Sequence, residues 1–389
     1  MTKAGEVLQI CGVSDTHTDS RLKVKLADVV RCVDISERNL LGSGLERYVG
    51  LEHLDSDDLH ITKWGLIVDG TSFVRRFAKG QVLFGKRRAY QRKVAVAQFD
   101  GVCSGDILVF EPKGDALLPD LLPFICLSDS FFDHALKTSA GSLSPRTKWK
   151  DLAKYEFWLP PKVEQKRMAK LLWAADDLLH KLRCCDTHIV QTQRSLFQTH
   201  MRGDRSADSR MVRLLDVCQI QNGQVDPRTS PYAEMIHIAS DDIESGSGQI
   251  LEMNTASQDR VSSGNYKFEE TAVLYSKIRP NLRKVALPWF PGVCSADIYP
   301  IYAGSEIRRE FLAQLLLSDD FTQYAITHSV RSAIPKLNRA TLGEYMFRLP
   351  SIAQQDRLIN ATSGLTTLRQ HTREHLLGTL NILHNLFSI

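Results

Sequence analysis

The sequence predicts an α+β protein made of two similar globules, each followed by a long helix, with the two helices packed as an antiparallel coiled coil. Three observations lead there. About half of the chain repeats itself, two proline-free runs of apolar periodicity follow a Leu-Pro pair at matched places, and the segments ahead of them break into short β-branched runs.

The repeat carries the argument. VKLADVVRCV (24–33) is echoed by VRLLDVCQIQ (212–221), and YVGLEHLDSDDL (48–59) more faintly by MIHIASDDIESG (235–246). The strongest echo sets FAKGQVLFGKRRAYQRKVAVAQFDGVCSGDI (77–107) against FEETAVLYSKIRPNLRKVALPWFPGVCSADI (268–298), gap-free, with about half the positions identical. LSDSF (127–131) then matches LSDDF (317–321), and Pro145-Arg146 matches Pro335-Lys336. Residues 1–21, rich in Ser, Thr and Asp, read as a lead-in, and 204–211 as a polar linker.

Within each half, runs such as Val94–Val96 and Ile107–Phe110 are bounded by Gly, Asp and Pro and predict strands. A shorter helical segment over Phe124–Lys137, matched by Phe311–His328, precedes each long run. The long runs begin at a polar turn, Glu164-Gln165 or Gln354-Gln355. In the first, Met168, Leu171, Ala175, Leu178, Leu182, Cys185, Ile189, Thr192 and Leu196 alternate three and four apart, the spacing of a coiled-coil seam. The second offers Leu358, Ala361, Leu365, Leu368, Thr372, His375, Thr379, Ile382 and Leu386. Neither helix can bury such a seam alone, so the two are expected to pack on each other.

Inside the strong repeat, two apolar strands flank a basic connection. Lys86, Arg88, Arg92 and Lys93 align with Lys277, Arg279, Arg283 and Lys284, while Arg87, Tyr90 and Asn281 differ between the copies. Pro280 suits a turn, which places the charges at the exposed end of a hairpin. Lys and Arg there can neutralise phosphates, and an Arg fork can read guanine in the major groove. The competing explanation, a solvated charged turn, loses force because the pattern occurs twice.

Composition narrows the field. Net charge is only +4, so a nucleic-acid surface has to be local. The eight cysteines include no C-x-x-C pair and the histidines show no zinc spacing, so reduced thiols, no metal and a cytoplasmic location are expected. No apolar run approaches the length of a membrane span. No Walker-type phosphate loop, no N-P-P-Y motif and no glycine-rich loop for S-adenosylmethionine occurs. Catalytic residues are therefore not expected. Asp106 with Glu111 and Lys113 resembles a D…E-x-K nuclease constellation, yet the second copy has Tyr302 and Gly304 at the last two places.

With its Leu-Pro-Pro…Glu-Gln helix, the Leu-Pro…Gln-Gln twin and the VLYSKIRPNLRKV segment between them, the chain resembles the specificity subunits of type I restriction-modification systems. The resemblance implies target-recognition domains at 22–155 and 212–345, each reading one half of a split site in double-stranded DNA. It implies coiled-coil segments at 156–203 and 346–389 that set the spacer; a helix of about forty residues rises roughly 60 Å. It further implies two methyltransferase subunits as partners, S-adenosylmethionine held by them and not by this chain, and a motor/nuclease subunit that can join. The rival readings are a metal-dependent nuclease, a protein-binding scaffold, and service in another methylation-based phage-defence complex.

Overall fold

The computed structural model describes residues 22–141, 144–203, 209–329 and 334–387; the lead-in 1–21 and linker residues 204–208 lie outside the described residues. The chain divides into two compact units, Met1–Cys184 with Glu374–Ile389, and Cys185–Arg373. The division cuts through the central helix, Lys162–Gly203, and the terminal helix, Ile352–Phe387, so each unit holds a stretch of both.

In the first unit an antiparallel sheet runs in the order Val30–Val33, Ile107–Pro112, Val82–Gly85, Val94–Val96. Its inner strands read as apolar runs, Ile107–Phe110 and Val82–Phe84, because both of their faces are covered. Side chains alternate between the faces. Val82, Phe84, Val94 and Phe110 point to one core with Phe124, Phe131 and Phe132, while Leu83, Ala95, Ile107 and Val109 join another with Val49, Phe77 and Cys103. That second core is shared with a smaller sheet in which Arg47–Val49 runs parallel to Gly101–Cys103. Gly101 is required there, since a Cβ would come within 2.6 Å of the Arg47 carbonyl oxygen.

The second unit is built the same way. Its sheet order is Cys218–Ile220, Ile298–Ala303, Val273–Ser276, Val285–Ala286, and Ile236–Ile238 pairs in parallel with Gly292–Ser295. Gly292 repeats the close approach, 2.6 Å from the Ile236 carbonyl oxygen. A short pair closes each globule: Leu22–Lys25 with Glu156–Leu159, and Arg210–Arg213 with Met346–Leu349. The helical segment expected over Phe124–Lys137 is two helices, Leu122–Leu127 and Asp129–Lys137. Ser128 is extended between them and its hydroxyl caps the Phe131 N–H; Ser318 does the same for Phe321.

The polar turns at the helix starts fasten helix to globule. Gln165 is buried and donates to the carbonyls of Ala116 and Pro160, both at 2.9 Å, while its own oxygen accepts from the Leu118 N–H at 2.8 Å. Gln355 makes the same three bonds, to Glu306, Pro350 and Arg308, at 2.9, 2.9 and 2.8 Å.

This fastening sets the rotation of each helix, and the expected seam needs correction. Leu171, Leu178 and Leu368 are 42, 47 and 52% exposed. The buried stripe of the central helix is instead one position on, at Ala169, Leu172, Asp176 and Leu179, a face in phase with Gln165. Leu196 of the expected set is likewise exposed, and Phe197 takes the buried place. Met168 and Ala175 are partly buried against the first core, Leu182 and Leu365 are half-buried, and Ile189 and Leu358 are buried. The side chains of Ile382 and Leu386 lie outside the described residues. In the first unit Leu376 and Leu380 pack on the cluster that contains Leu172 and Leu179. In the second, Asp186 accepts from Arg369 and Arg373 at 2.9 and 2.8 Å, and Gln193 donates to Thr366 at 3.0 Å.

Replacing Gln355 with Leu leaves one N–H and two carbonyls without a partner in a buried site, so stability should fall by about 2–4 kcal/mol in urea unfolding. A loss under about 1 kcal/mol would mean that water takes over the amide's bonds.

Candidate nucleic-acid interface

Each basic connection spans two strands of its sheet. Val82–Gly85 pairs antiparallel with Val94–Val96, and the turn between them is a single 3-10 turn, Ala89–Gln91; in the second unit Pro280–Leu282 takes that place between Val273–Ser276 and Val285–Ala286. Arg88 and Arg92 bracket the first turn with φ of 54 and 50°, and Arg279 and Arg283 the second with 47 and 50°. A left-handed backbone costs a non-glycine residue about 1–2 kcal/mol. Glycine would avoid that cost, so an arginine kept at such a place argues that its side chain has a task.

For the second arginine of each pair the task is internal. Arg92 forms ion pairs with Asp57 at 2.6 Å and Asp129 at 2.9 Å, donates to the Leu127 carbonyl at 2.7 Å and lies over the Phe132 ring. Arg283 pairs with Asp319 and donates to the Leu317 carbonyl at 3.4 Å. The lysines that follow are also turned inward: Lys93 donates to the Leu51 carbonyl at 2.6 Å, and Lys284 to that of Ser240 at 2.7 Å. Lys277 bonds the Ala296 carbonyl at 2.7 Å. The expected exposed tip is thus corrected for five of its cations. Their charged heads neutralise carboxylates and satisfy helix-end and loop carbonyls that the hairpin would otherwise bury.

The others differ. Lys86, Arg87 and Arg88 are half-buried, Arg87 reaching Ser144 at 3.2 Å and Asp106 at 3.5 Å, and the Arg88 Nε finds no partner. Tyr90, Arg279 and Asn281 are exposed. No side-chain hydrogen bond or ion pair holds Arg279 among the described residues, although its backbone N–H is fixed to the Pro335 carbonyl at 2.9 Å. Arg88 is anchored alike to Pro145, at 2.8 Å.

The loops that anchor these arginines explain two further echoes. Arg146 pairs with Asp106 at 2.9 Å and Lys336 with Asp297 at 3.2 Å, so each loop is pinned to its hairpin by one matched ion pair. The Arg146 guanidinium holds the Asp106 carboxyl below the usual carboxylate range. Asp106, Glu111 and Lys113 do not form one constellation: Glu111 pairs with Arg31 and accepts from Gln81 at 2.6 Å, and Lys113 donates to the Ala27 carbonyl at 3.4 Å.

One feature escaped sequence reasoning. The Arg47 guanidinium lies 4.5 Å from the Trp64 ring centre and 4.8 Å from that of Phe99, a cation–π stack that fixes its direction. The register partner in the second unit is Ile236, since Arg47 faces Gly101 and Ile236 faces Gly292. Spacing could not reveal it, because the three residues come from separate segments.

Residues 64–183, which include the first hairpin, its helices and the Gln165 turn, match the family model of the type I restriction modification DNA specificity domain. Over that segment the chain is similar to a type I DNA specificity domain. The EcoDI type I restriction enzyme specificity subunit of Escherichia coli is 33% identical to the chain over 155 residues, 40% of this chain and 34% of that protein. The chain therefore spans about a third of that relative's length in the alignment. Among solved structures, the type I restriction-modification S subunit from M. genitalium is similar with a TM-score of 0.56 at 13% identity, covering 96% of this chain and 97% of that one, and shares the fold. The HsdS subunit from Thermoanaerobacter tengcongensis matches with a TM-score of 0.40 at 18% identity, over 95% and 96% of the two chains.

In the first hairpin, Arg92→Ala removes two ion pairs and a carbonyl bond from a partly exposed site, and should lower stability by about 1–3 kcal/mol by denaturant unfolding. An unchanged midpoint would show that the carboxylates of Asp57 and Asp129 are satisfied by solvent.

Proposed function

We propose that the whole chain is the DNA-recognition subunit of a type I restriction-modification complex, in which each globule reads one half of a split site and the paired helices set the distance between halves. The observation that carries the reading is Arg279: an exposed arginine in a disfavoured backbone conformation, rigidly anchored, with nothing inside the described fold to hold its guanidinium. Such a group is preorganised for a partner outside the chain, and a phosphate or a guanine edge fits its fork. Arg88 occupies the matched position in the specificity domain at 64–183.

Neighbours that differ between copies, Tyr90 against Asn281 and Arg47 against Ile236, are what two readers of unlike half-sites require. The antiparallel pairing of the helices is supported by the order of their contacts in the second unit, where rising numbers on the central helix meet falling numbers on the terminal one. The exposed leucines Leu171 and Leu178 suit a further subunit, and we assign them to the methyltransferase partners that the family implies, two per chain, which would carry the S-adenosylmethionine. A motor/nuclease subunit would complete the restriction form. Catalysis is assigned to those partners and not to this chain. Among the described residues no helix is long and apolar enough to cross a membrane, and we place the complex in the cytoplasm.

Arg279→Gly tests the reading cleanly. The glycine accepts the left-handed backbone, so stability should stay within about 1 kcal/mol, while DNA affinity in the assembled methyltransferase should drop by about 1–3 kcal/mol. A relaxed preference at one base pair of one half-site would mark a base contact; a uniform loss with a shallower salt dependence would mark a phosphate contact. Unaltered DNA binding would exclude Arg279 from the interface.

Exchange of residues 212–345 for those of a relative should alter one block of methylated sequence and leave the other. Methylation mapping that showed both blocks changed would defeat the division of labour.

A further inference from the structure

The two units repeat each other in backbone, yet they differ where the early turns of each long helix meet the helix that leads into Ser128 or Ser318. In the first unit aromatic rings fill this junction. Trp173 and Phe124 meet edge to face with centres 5.1 Å apart, and the indole N–H donates to the Asp120 carbonyl at 2.9 Å. Leu172 and Pro123 are buried as well. The matched turns at Gln165 and Gln355 and the matched serines set the correspondence with the second unit. Ser363 stands for Trp173, Thr362 for Leu172, Gln314 for Phe124 and Ala313 for Pro123.

Each replacement is smaller than the residue it matches, and three of the four are polar. The second unit accordingly opens a cavity of about 430 Å³ at this place, lined by all four residues together with Phe197 and Leu317. Its walls come from the helices Lys162–Gly203, Arg309–Leu317 and Ile352–Phe387, and every lining residue falls within the one compact unit Cys185–Arg373. A mainly apolar cavity of this size with a few convergent polar groups has the character of a small-molecule site. A partner's helix, about 10 Å across, is too broad for it.

The polar groups indicate what an occupant must carry. Gln314 donates its amide N–H to the Thr362 hydroxyl at 3.1 Å, while its Oε1 is buried without a hydrogen-bond partner among the described residues. An unmet buried acceptor is unfavourable. The terminal torsion of a glutamine turns over a broad range, so this oxygen can be brought to face an N–H held in the cavity. The first unit meets the ring N–H of Trp173 with a main-chain carbonyl, and the second offers a side-chain one.

We propose that this cavity binds a small flat heteroaromatic molecule bearing a ring N–H, an indole or a purine, in the place that Trp173 fills in the first unit. The bound ring lies against Phe197 and Leu317, gives its N–H to Gln314, and bridges both long helices to the globule of the second unit. Trp173 is in this sense the built-in counterpart of a ligand that the second copy takes from solution.

The test is titration of indole and of adenine into the full chain, followed by ligand-observed NMR, with thermal melts of each sample. At least one ring should bind with a dissociation constant below about 1 mM and raise the melting temperature, and the tighter of the two names the source. Ser363→Trp, which restores the side chain of the first unit, should weaken that ring at least about tenfold and melt no lower than the original chain. Gln314→Leu removes the acceptor and should weaken it about fivefold, which keeps the proposal open to refutation should the larger side chain disturb the fold. Binding of neither ring below about 1 mM, as for a cleft that holds only water, or binding undiminished in Ser363→Trp or in Gln314→Leu, would each overturn the proposal.

Discussion

The structure depends on how each long helix is held at its first turn. Gln165 and Gln355 are side-chain amides buried where helix, preceding strand and a loop of the globule converge, and each satisfies three main-chain groups at once. An amide supplies both a donor pair and an acceptor, which no apolar or singly charged side chain of that size does. Fixing the amide fixes the rotation of the helix, which decides which residues of the next turns face the core. Ala169 and Leu172 go inward for that reason, and Leu171 stays in solvent.

The two hairpins show a second constraint, a division of labour within one run of charge. Arg92 and Arg283 bind the ends of the helices at Leu127 and Leu317, and Lys93 and Lys284 hold the loops at Leu51 and Ser240. These cations make the scaffold rigid. Arg88 and Arg279, anchored through their backbones to Pro145 and Pro335, are presented by that scaffold. Side chains that look alike in sequence thereby take opposite directions, one set inward and one set at the surface or beneath it.

Much of this was legible in the residues. The repeat named the matched strands, the hairpins and the Leu-Pro helix starts, because duplicated sequence must satisfy the same burial twice. Three things were hidden. Seam and globule-facing residues on the central helix differ by one position, and apolar periodicity cannot choose between Leu171 and Leu172 when both stripes contain leucine. Cation orientation was hidden because the acceptors of Arg92, namely Asp57, Asp129 and the Leu127 carbonyl, are contributed by distant segments. The Arg47 stack was hidden for the same reason, being assembled from parts far apart in the chain.

All six groups that Gln165 and Gln355 contact are main-chain atoms, three in each unit. Main-chain atoms are present whatever side chains surround them. A globule of quite different surface can therefore be grafted ahead of the same helix and still be gripped, provided its loop returns to the same place. Such a joint tolerates wholesale exchange of the segment it holds, which would let recombination between relatives create new recognition properties without rebuilding the frame.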